Sequence, residues 1–515
     1  MNQQPKRAGR LNIAWLAFLA SAVALVVLIG LLVWDARRRG STPPDKRPLL
    51  VYCAAGIRPP VEAAARDYQQ AYGVEIQLQY GGSQNLLTNI KTSNRGDLYL
   101  PADEAYIQDA RNIKTARDES LVQESLPLAR MTPVLAVHKG NPKNLHSLAD
   151  LTRDGVRLAQ ANPEVAAIGK ATKEALTKIG RWADVAKQIV VNKPTVNEVA
   201  NDVVVGSVDA GFVWDATVRQ NAELEAISLP EFADVHANVA VGVLAYSEQP
   251  TAALRFARFL AASDRGRPLF QREGYELVEG DPWAETPELN IFAGAMLRPA
   301  VDDTIDEFEK REGVRVTRVY NGCGILVGQM RTAGKSPDAY FACDQSFMTQ
   351  VHDLFLEATP VSTNQLVILV PKGNPHHIRS LNDLGQPSLR VGVGHEKQCA
   401  LGALTQETLK QGGVHDAVMQ NVMVQSPTGD LLVNQLRAKS LDAVIAYVSN
   451  AVEAADELEA IAIKDIPCSV AVQPLAASKD STYKQLTGRL LDALRSPASR
   501  QRFEANGFHW QAGAK

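Results

Sequence analysis

The chain has 515 residues, with 54 Lys+Arg against 57 Asp+Glu, 45% apolar and 22% charged residues, and five Cys. At about 100–200 residues per domain this length predicts two to four domains. A net charge of −3 excludes a nucleic-acid partner held by bulk charge, and so few Cys exclude a disulfide scaffold.

The first predicted element is a membrane span. Ile13 to Trp34 is a run of 22 residues without a charge, with Trp15 and Trp34 near its ends. At about 1.5 Å per residue a helix of that length crosses a hydrocarbon core of about 30 Å. A cleaved signal peptide usually has an apolar region of only about 7–15 residues before a small-x-small site. Here the run ends Val33-Trp34-Asp35-Ala36-Arg37, a poor cleavage site. The expected layout is a cytoplasmic tail (1–12), a transmembrane helix (13–34) and a linker (35–47). Lys6, Arg7 and Arg10 precede the span and Arg37, Arg38 and Arg39 follow it, so flanking charge does not set its orientation.

The chain beyond the linker is written twice. Leu50 to Val61 (LVYCAAGIRPPV) returns as Asn290 to Val301 (NIFAGAMLRPAV), at an offset of 240. Gly73-Val74 returns as Gly313-Val314, and Tyr80-Gly81-Gly82-Ser83 as Tyr320-Asn321-Gly322-Cys323. Ala102-Asp103 matches Cys343-Asp344 at offset 241. Lys139-Gly140-Asn141-Pro142 matches Lys372-Gly373-Asn374-Pro375, and Asp209-Ala210 matches Asp442-Ala443, both at offset 233. The shorter offset predicts extra residues in the first copy between Tyr106 and Arg130. So long a period means duplicated domains, not a solenoid. We place them at 48–282 and 288–515.

Within the first copy, Leu49–Cys53 reads as a buried strand. Pro59 to Tyr72 reads as a helix with Val61, Ala64, Ala65 and Tyr68 on one face, stopped by Gly73. Glu75–Tyr80 alternates as a strand, Asn85–Lys91 reads as a helix, and Leu98–Leu100 as a strand. This βαβαβ order predicts an α/β fold with a largely parallel sheet, whose ligands lie beyond the carboxyl ends of the strands.

Two loops per copy fit an anion. Cys53 to Pro59 and Ala293 to Pro299 are small-residue turns into a helix, ending in Arg58 and Arg298. Tyr80 to Asn85 and Tyr320 to Ile325 are Gly-containing turns into the next helix. Helix N-termini offer unpaired N–H groups and partial positive charge. The plainer readings are a tight turn with an exposed Arg, and a Ser helix cap. Asp103 and Asp344 read as caps of the following helix. No HExxH, Walker A, GxSxG or CxxC motif is present. Cys323 has no visible base beside it, so we expect no enzyme, cofactor or resident metal.

These loops resemble those of the molybdate-binding proteins of ABC transporters, a family with the type II periplasmic binding-protein fold. Tyr52 to Ile57 and Phe292 to Leu297 resemble its first strand end. Tyr80 to Ser83 and Tyr320 to Cys323 resemble its second loop, and Pro101-Ala102-Asp103 and Ala342-Cys343-Asp344 the third strand end. Ala161 to Gly169, Gly394 to Gly402, Gly211 to Trp214 and Val444 to Tyr447 resemble its later segments. The resemblance covers residues 48–515. It implies two tandem Venus-flytrap domains after the anchor, each of two α/β lobes with an oxyanion held between them by neutral donors.

Carried over position by position, the first site is Gly56, Arg58, Ser83, Ile168, Val196 and Trp214. The second is Met296, Arg298, Cys323, Leu401, Gly429 and Tyr447. Gly56 and Met296 stand where the family has a Ser, Cys323 replaces the second Ser, and Trp214 replaces a Tyr. Ile168, Val196, Leu401 and Gly429 would act through backbone N–H groups, and Arg58 and Arg298 would replace the lost hydroxyls. For Cys323, Cys343 and Cys399 three readings stand open: a soft-metal or thiophilic-ligand site, a disulfide, or small buried residues. The resemblance implies a single-pass protein of the inner membrane with both domains on the periplasmic side. It would bind a molybdate- or tungstate-like ion and feed an ABC permease. The alternative is a sensing or scaffold ectodomain on the same fold.

Overall fold

The computed structural model describes residues 47–511 except Lys335 and Glu453. The expected tail, transmembrane helix and nearly all of the linker lie outside the described residues. Among the described residues no helix is long and apolar enough to cross a membrane.

The first copy folds into two lobes. In the first lobe, strand Leu49–Ala54 lies between the parallel strands Ile76–Gly81 and Leu98–Leu100. The register sets Ala54 opposite Gly81 and Cys53 opposite Leu100, so all three strands end together and release their loops at one edge. Helix Arg58–Tyr72 starts on Pro59-Pro60 and stops at Gly73, whose φ of 70° suits a residue without Cβ. Its face of Pro60, Val61, Ala64, Ala65 and Tyr68 is buried, as the spacing predicts.

The sheet is mixed, not largely parallel. Ala237–Leu244 runs antiparallel to both Leu98–Leu100 and Val122–Met131. The reason is topological: the chain leaves for the second lobe along one strand and comes back along its neighbour. The second lobe is a five-stranded sheet in the order Ile189–Lys193, Leu158–Ala161, Ala210–Trp214, Pro133–His138, Leu224–Ile227. The extra residues of the first copy form a turn closed by a bridge between Lys114 and Ser120.

The second copy repeats this plan with one difference. Strand Thr359–Pro371 passes unbroken from lobe to lobe, so the two sheets join into one of ten strands. In the first copy the same path is two strands, Val122–Met131 and Pro133–His138. The break falls at Thr132, where the chain crosses between lobes; Pro133 keeps the register partner Trp214, as its counterpart Leu366 keeps Tyr447, but has no N–H to give the ladder. The cores follow suit: one apolar cluster fills both lobes of the second copy, and two separate clusters fill the first.

The two copies dock through their first lobes. Glu312 is buried between Arg258 of the first copy (3.2 Å) and Arg489 of the second (2.6 Å). Arg311 grips Glu124 with two hydrogen bonds of 2.7 and 2.8 Å. Asp281, on the connection, accepts from the N–H groups of Gln485 and Leu486 and so caps helix Lys484–Leu494. Trp283 packs on Tyr72 and Phe259, and its indole N–H donates to the Tyr72 hydroxyl at 2.8 Å.

Candidate functional site

Four helices of the first copy start at the gap between its lobes. Arg58–Tyr72, entered through the short turn Ala55–Ile57, and Ser83–Ser93 come from the first lobe. Ala167–Lys178 and Val196–Val204 come from the second. The first three carry no acidic residue in their first turn. In the fourth, Glu198 is held by Thr195, which donates to its carboxylate at 2.9 Å. The positive ends of four helices therefore face one another across the gap.

The space they enclose is lined by Ala54 to Gly56, Gly81 to Ser83, Ala102, Ala166 to Ile168, Thr195, Val196 and Trp214, with no charged side chain. Its volume is about 20 Å³, room for about one water. The lobes are closed on each other. Gln84 N–H donates to Val165 O at 3.1 Å and Asn197 Nδ2 to Ala55 O at 3.3 Å, both across the gap. Gly82 stands at the tightest approach: a Cβ there would lie 2.6 Å from Val165 O and 2.9 Å from Pro194 O.

Five of the six expected residues of the first site meet here: Gly56, Ser83, Ile168, Val196 and Trp214. Ser83 is buried and oriented. Its Oγ accepts from Ala102 N–H at 3.1 Å, which leaves the hydroxyl proton free to be donated, and its carbonyl accepts from Tyr99 at 2.8 Å. The loss of a side chain at Gly56 also has a visible cause. A Cβ there would sit 2.9 Å from Val196 Cγ1, inside contact distance, with Trp214 Cδ1 at an ordinary 3.6 Å, so the Val196 side chain across the gap takes up the space a serine would need.

Arg58 is a correction. Its Nε donates to Glu62 at 2.7 Å, its guanidinium lies 4.9 Å above the Tyr80 ring, and its side chain is 55% exposed on the outer face. Arg298 repeats this with Asp302 (3.8 Å) and Tyr320 (4.9 Å). Neither replaces a lost hydroxyl. The signal lay four residues on, in the acidic partner at i+4. Thr195 and Asn197 were missed; the turn into their helix has no Gly-rich signature. Asp103 and Asp344 do cap the next helices, accepting from the N–H groups of Ala105 and Ser346. Burial pushes the Asp103 carboxyl up to about 6.

In the second copy Met296, Cys323, Leu401, Gly429 and Tyr447 hold the matching places. Cys343 N–H donates to Cys323 Sγ at 3.1 Å, as Ala102 N–H does to Ser83 Oγ. This cleft is also closed: a Cβ on Gly322 would lie 2.4 Å from Gln398 O and 2.5 Å from Pro427 O. Leu401 lies in the first turn of helix Ala400–Gln411, and Gly429 opens helix Gly429–Arg437 against the Asn450 amide. The Tyr447 hydroxyl is fully buried and has no hydrogen-bond partner. All five Cys are free thiols in this structure. Among the described residues no three Cys, His, Asp or Glu side chains are spaced to hold a metal ion. Cys468 lies apart, beside Thr408. Burial opposes ionising Cys323, but the Cys343 thiol and N–H, both donating to its sulphur, outweigh it and bring its pKa below the ordinary thiol value. Its bond to Cys323 pushes Cys343 well up, and burial raises Cys399 to about 11.

Several known proteins are similar to this chain. The molybdate-binding protein ModA of Mycobacterium bovis is 26% identical over 267 residues, which is 51% of this chain and 98% of that protein. The periplasmic molybdate-binding protein of Azotobacter vinelandii superposes with a TM-score of 0.38 at 18% identity, over 45% of this chain and all of that one. The sulfate-binding protein SubI of Mycobacterium tuberculosis does so with a TM-score of 0.38 at 16% identity, over 43% and 86%. The model of the bacterial extracellular solute-binding protein family matches twice, at residues 49–276 and 289–509. The chain therefore belongs to the bacterial extracellular solute-binding protein family, as a tandem duplication of its domain.

Proposed function

We propose that the chain is a membrane-tethered extracytoplasmic solute-binding protein that takes a small, fully ionised tetrahedral oxyanion of the molybdate or tungstate kind into its first cleft. It would then hand the ion to an ABC permease. In this reading residues 13–34 anchor it in the inner membrane, with both domains on the periplasmic side. The observation that carries the reading is the meeting of four helix N-termini and the Ser83 hydroxyl at one interlobe cavity without a charged side chain. Such a site stabilises an anion by fixed dipoles and gives a cation no counter-charge. It also has no carboxylate to accept a proton from the ligand, which favours molybdate or sulfate over protonated phosphate. Closure about the Thr132 crossing would bring donors from both lobes onto the ion.

The test is calorimetry on the full chain with molybdate, tungstate, sulfate and phosphate. Molybdate or tungstate should bind, and Ser83→Ala should weaken binding by about ten- to hundredfold, the loss of one hydrogen bond to a charged group. Tight binding that ignores Ser83→Ala would place the site elsewhere.

A further inference from the structure

The three buried cysteines of the second copy stand at the places of three residues that line the first cavity. Cys323 matches Ser83, Cys343 matches Ala102 and Cys399 matches Ala166, each at the repeat offset of its segment. Cys323 and Cys343 come from the first lobe and are neighbours. Their sulphurs lie 3.1 and 1.9 Å from the point a Cβ would occupy on Gly294. Cys399 precedes a helix of the second lobe and faces them across the closed gap, its Cβ 3.2 Å from the Cβ position of Gly322.

Polar groups without partners accompany the thiols. The Tyr447 hydroxyl is one, and it sits in the field of Cys343, Cys399 and Cys323. The Asn364 amide is another: it is wholly buried, and neither its oxygen nor its nitrogen is bonded. Asn364 stands on the same side of its strand as Ser362, whose hydroxyl reaches Gln473, whose amide in turn donates to Cys343 O at 3.0 Å. The first copy has Ala129, Met131 and Ala240 at these three positions. The second copy has thus gained sulphur and amide groups together; the Asn364 amide among them is left unpaired by the protein, as is the Tyr447 hydroxyl.

We propose that the second cleft binds a trivalent metalloid hydroxide of the arsenous acid class, held by two bonds from Cys323 and Cys343. This rests on the reading of the clefts as solute sites. A bare soft cation would satisfy the sulphurs but give the Tyr447 hydroxyl and the helix N–H groups no oxygen. A tetrahedral oxyanion would satisfy those donors but leave the thiols idle. A metalloid hydroxide presents both a soft centre and an oxygen. Each thiol displaces one hydroxide from the metalloid. Two S–H and two metalloid–oxygen bonds break, two metalloid–sulphur bonds form, and each thiol proton leaves with its hydroxide as water. One hydroxyl stays on the metalloid, facing Tyr447 and the helix that begins at Ala400. The metalloid stays trivalent, so no oxidant is needed. The Cys343 N–H that Cys323 accepts at 3.1 Å would steady the sulphur as its proton leaves.

The test uses the reduced full chain and sodium arsenite, read by intact mass and by near-ultraviolet sulphur–arsenic absorbance. One adduct that has lost two waters is expected. Cys323→Ser or Cys343→Ser should weaken it at least about a hundredfold, because the second bond then no longer forms at high effective concentration. Cys468→Ser should leave it unchanged, and Tyr447→Phe should weaken it several-fold while keeping the two-bond adduct. No adduct on the reduced chain would overturn the proposal, as would an adduct indifferent to Cys343→Ser or a Cys323–Cys343 disulfide that resists reduction. Molybdate titration of the same variants reports the first cleft separately. It serves as the folding control, and its failure in the unaltered chain would count against the oxyanion reading of that cleft and not against the thiol site.

Discussion

Replacing Gly82 with alanine should hold the first cleft open while leaving the domain folded. Gly82 has φ −70° and ψ 147°, a conformation any residue adopts, so the backbone bears no strain from a side chain. The obstacle is across the gap. The new methyl would lie 2.6 Å from Val165 O and 2.9 Å from Pro194 O, well inside van der Waals contact. Both are backbone atoms of the second lobe and have no rotamer by which to give way, so the lobe must retreat by several tenths of an ångström. That retreat stretches the Gln84–Val165 hydrogen bond of 3.1 Å and draws the N–H groups of Ile168 and Val196 off any ion seated on Ser83. A neutral hydrogen bond is worth about 1 kcal/mol and each bond to a charged group about 1.5–3 kcal/mol. Losing the first and one of the second gives roughly 3 kcal/mol, or about a hundredfold in Kd. Calorimetry with molybdate would measure the loss, and small-angle scattering would follow closure. The melting temperature should barely change, since the methyl meets the opposite lobe and not the core. Unaltered affinity, or lost affinity with unaltered closure, would refute the reasoning.

Arg58→Ala should change oxyanion affinity less than about twofold by calorimetry, because the guanidinium is engaged by Glu62 and Tyr80 on the outer face. Glu312→Ala should destabilise the joined domains by about 3–5 kcal/mol in denaturant unfolding, since it leaves Arg258 and Arg489 buried without a counter-charge. Burial opposes the charge on Glu312, but Arg489 and Arg258 outweigh it and set its folded pKa below the usual 4.5. Its contribution is therefore complete above that value and is lost as pH falls through the lower folded pKa; a Glu312→Gln chain should lose that part of the acid sensitivity of its melting temperature. Asp103 has the opposite sign. Its folded pKa of about 6 lies above the ordinary 3.8, so its contribution is complete below 3.8 and is lost as pH rises through about 6. Asp103→Asn keeps an oxygen for Ala105 N–H and should raise stability at pH 7.5 by about 1–2 kcal/mol, a gain that vanishes near pH 4.

Much of this molecule was legible because repetition amplified weak signals. One small-residue turn into a helix is an ordinary turn; the same turn at Gly56 and Met296, each followed by a second turn at Ser83 and Cys323, marks a site. Helix limits were readable where Pro59 and Gly73 fix them through backbone constraints. What the pattern hid were effects between segments far apart in sequence. The outward turn of Arg58 depends on Glu62 and Tyr80 competing with a ligand. The exclusion of a side chain at Gly56 depends on Val196, 140 residues away. The antiparallel return strand Ala237–Leu244 is as continuously buried as a parallel one, so only topology separates them. Pro133 and Leu366 make the same register pairing, with Trp214 and Tyr447, so the residue difference alone did not announce that the two sheets of the second copy run on as one.

The docking of the two copies bears on why one cleft could diverge. Arg258, Glu124 and the Asp281 connection on one side, and Arg311, Glu312 and Arg489 on the other, all belong to the first lobes or to the segment between them. The second lobes, which carry Ile168, Val196 and Trp214 in one copy and Leu401, Gly429 and Tyr447 in the other, take no part in these bonds. Each can swing on its own crossing strands without disturbing the shared back. Allosteric coupling needs an element whose two arrangements both ligands bias, and a buried Arg–Glu–Arg arrangement confined to the first lobes offers no contact to either moving lobe. Substitutions at Cys323, Cys343 and Cys399 would then alter the second cleft with no penalty on the first. A duplicated receptor joined through its static lobes is free to keep one solute chemistry and explore another.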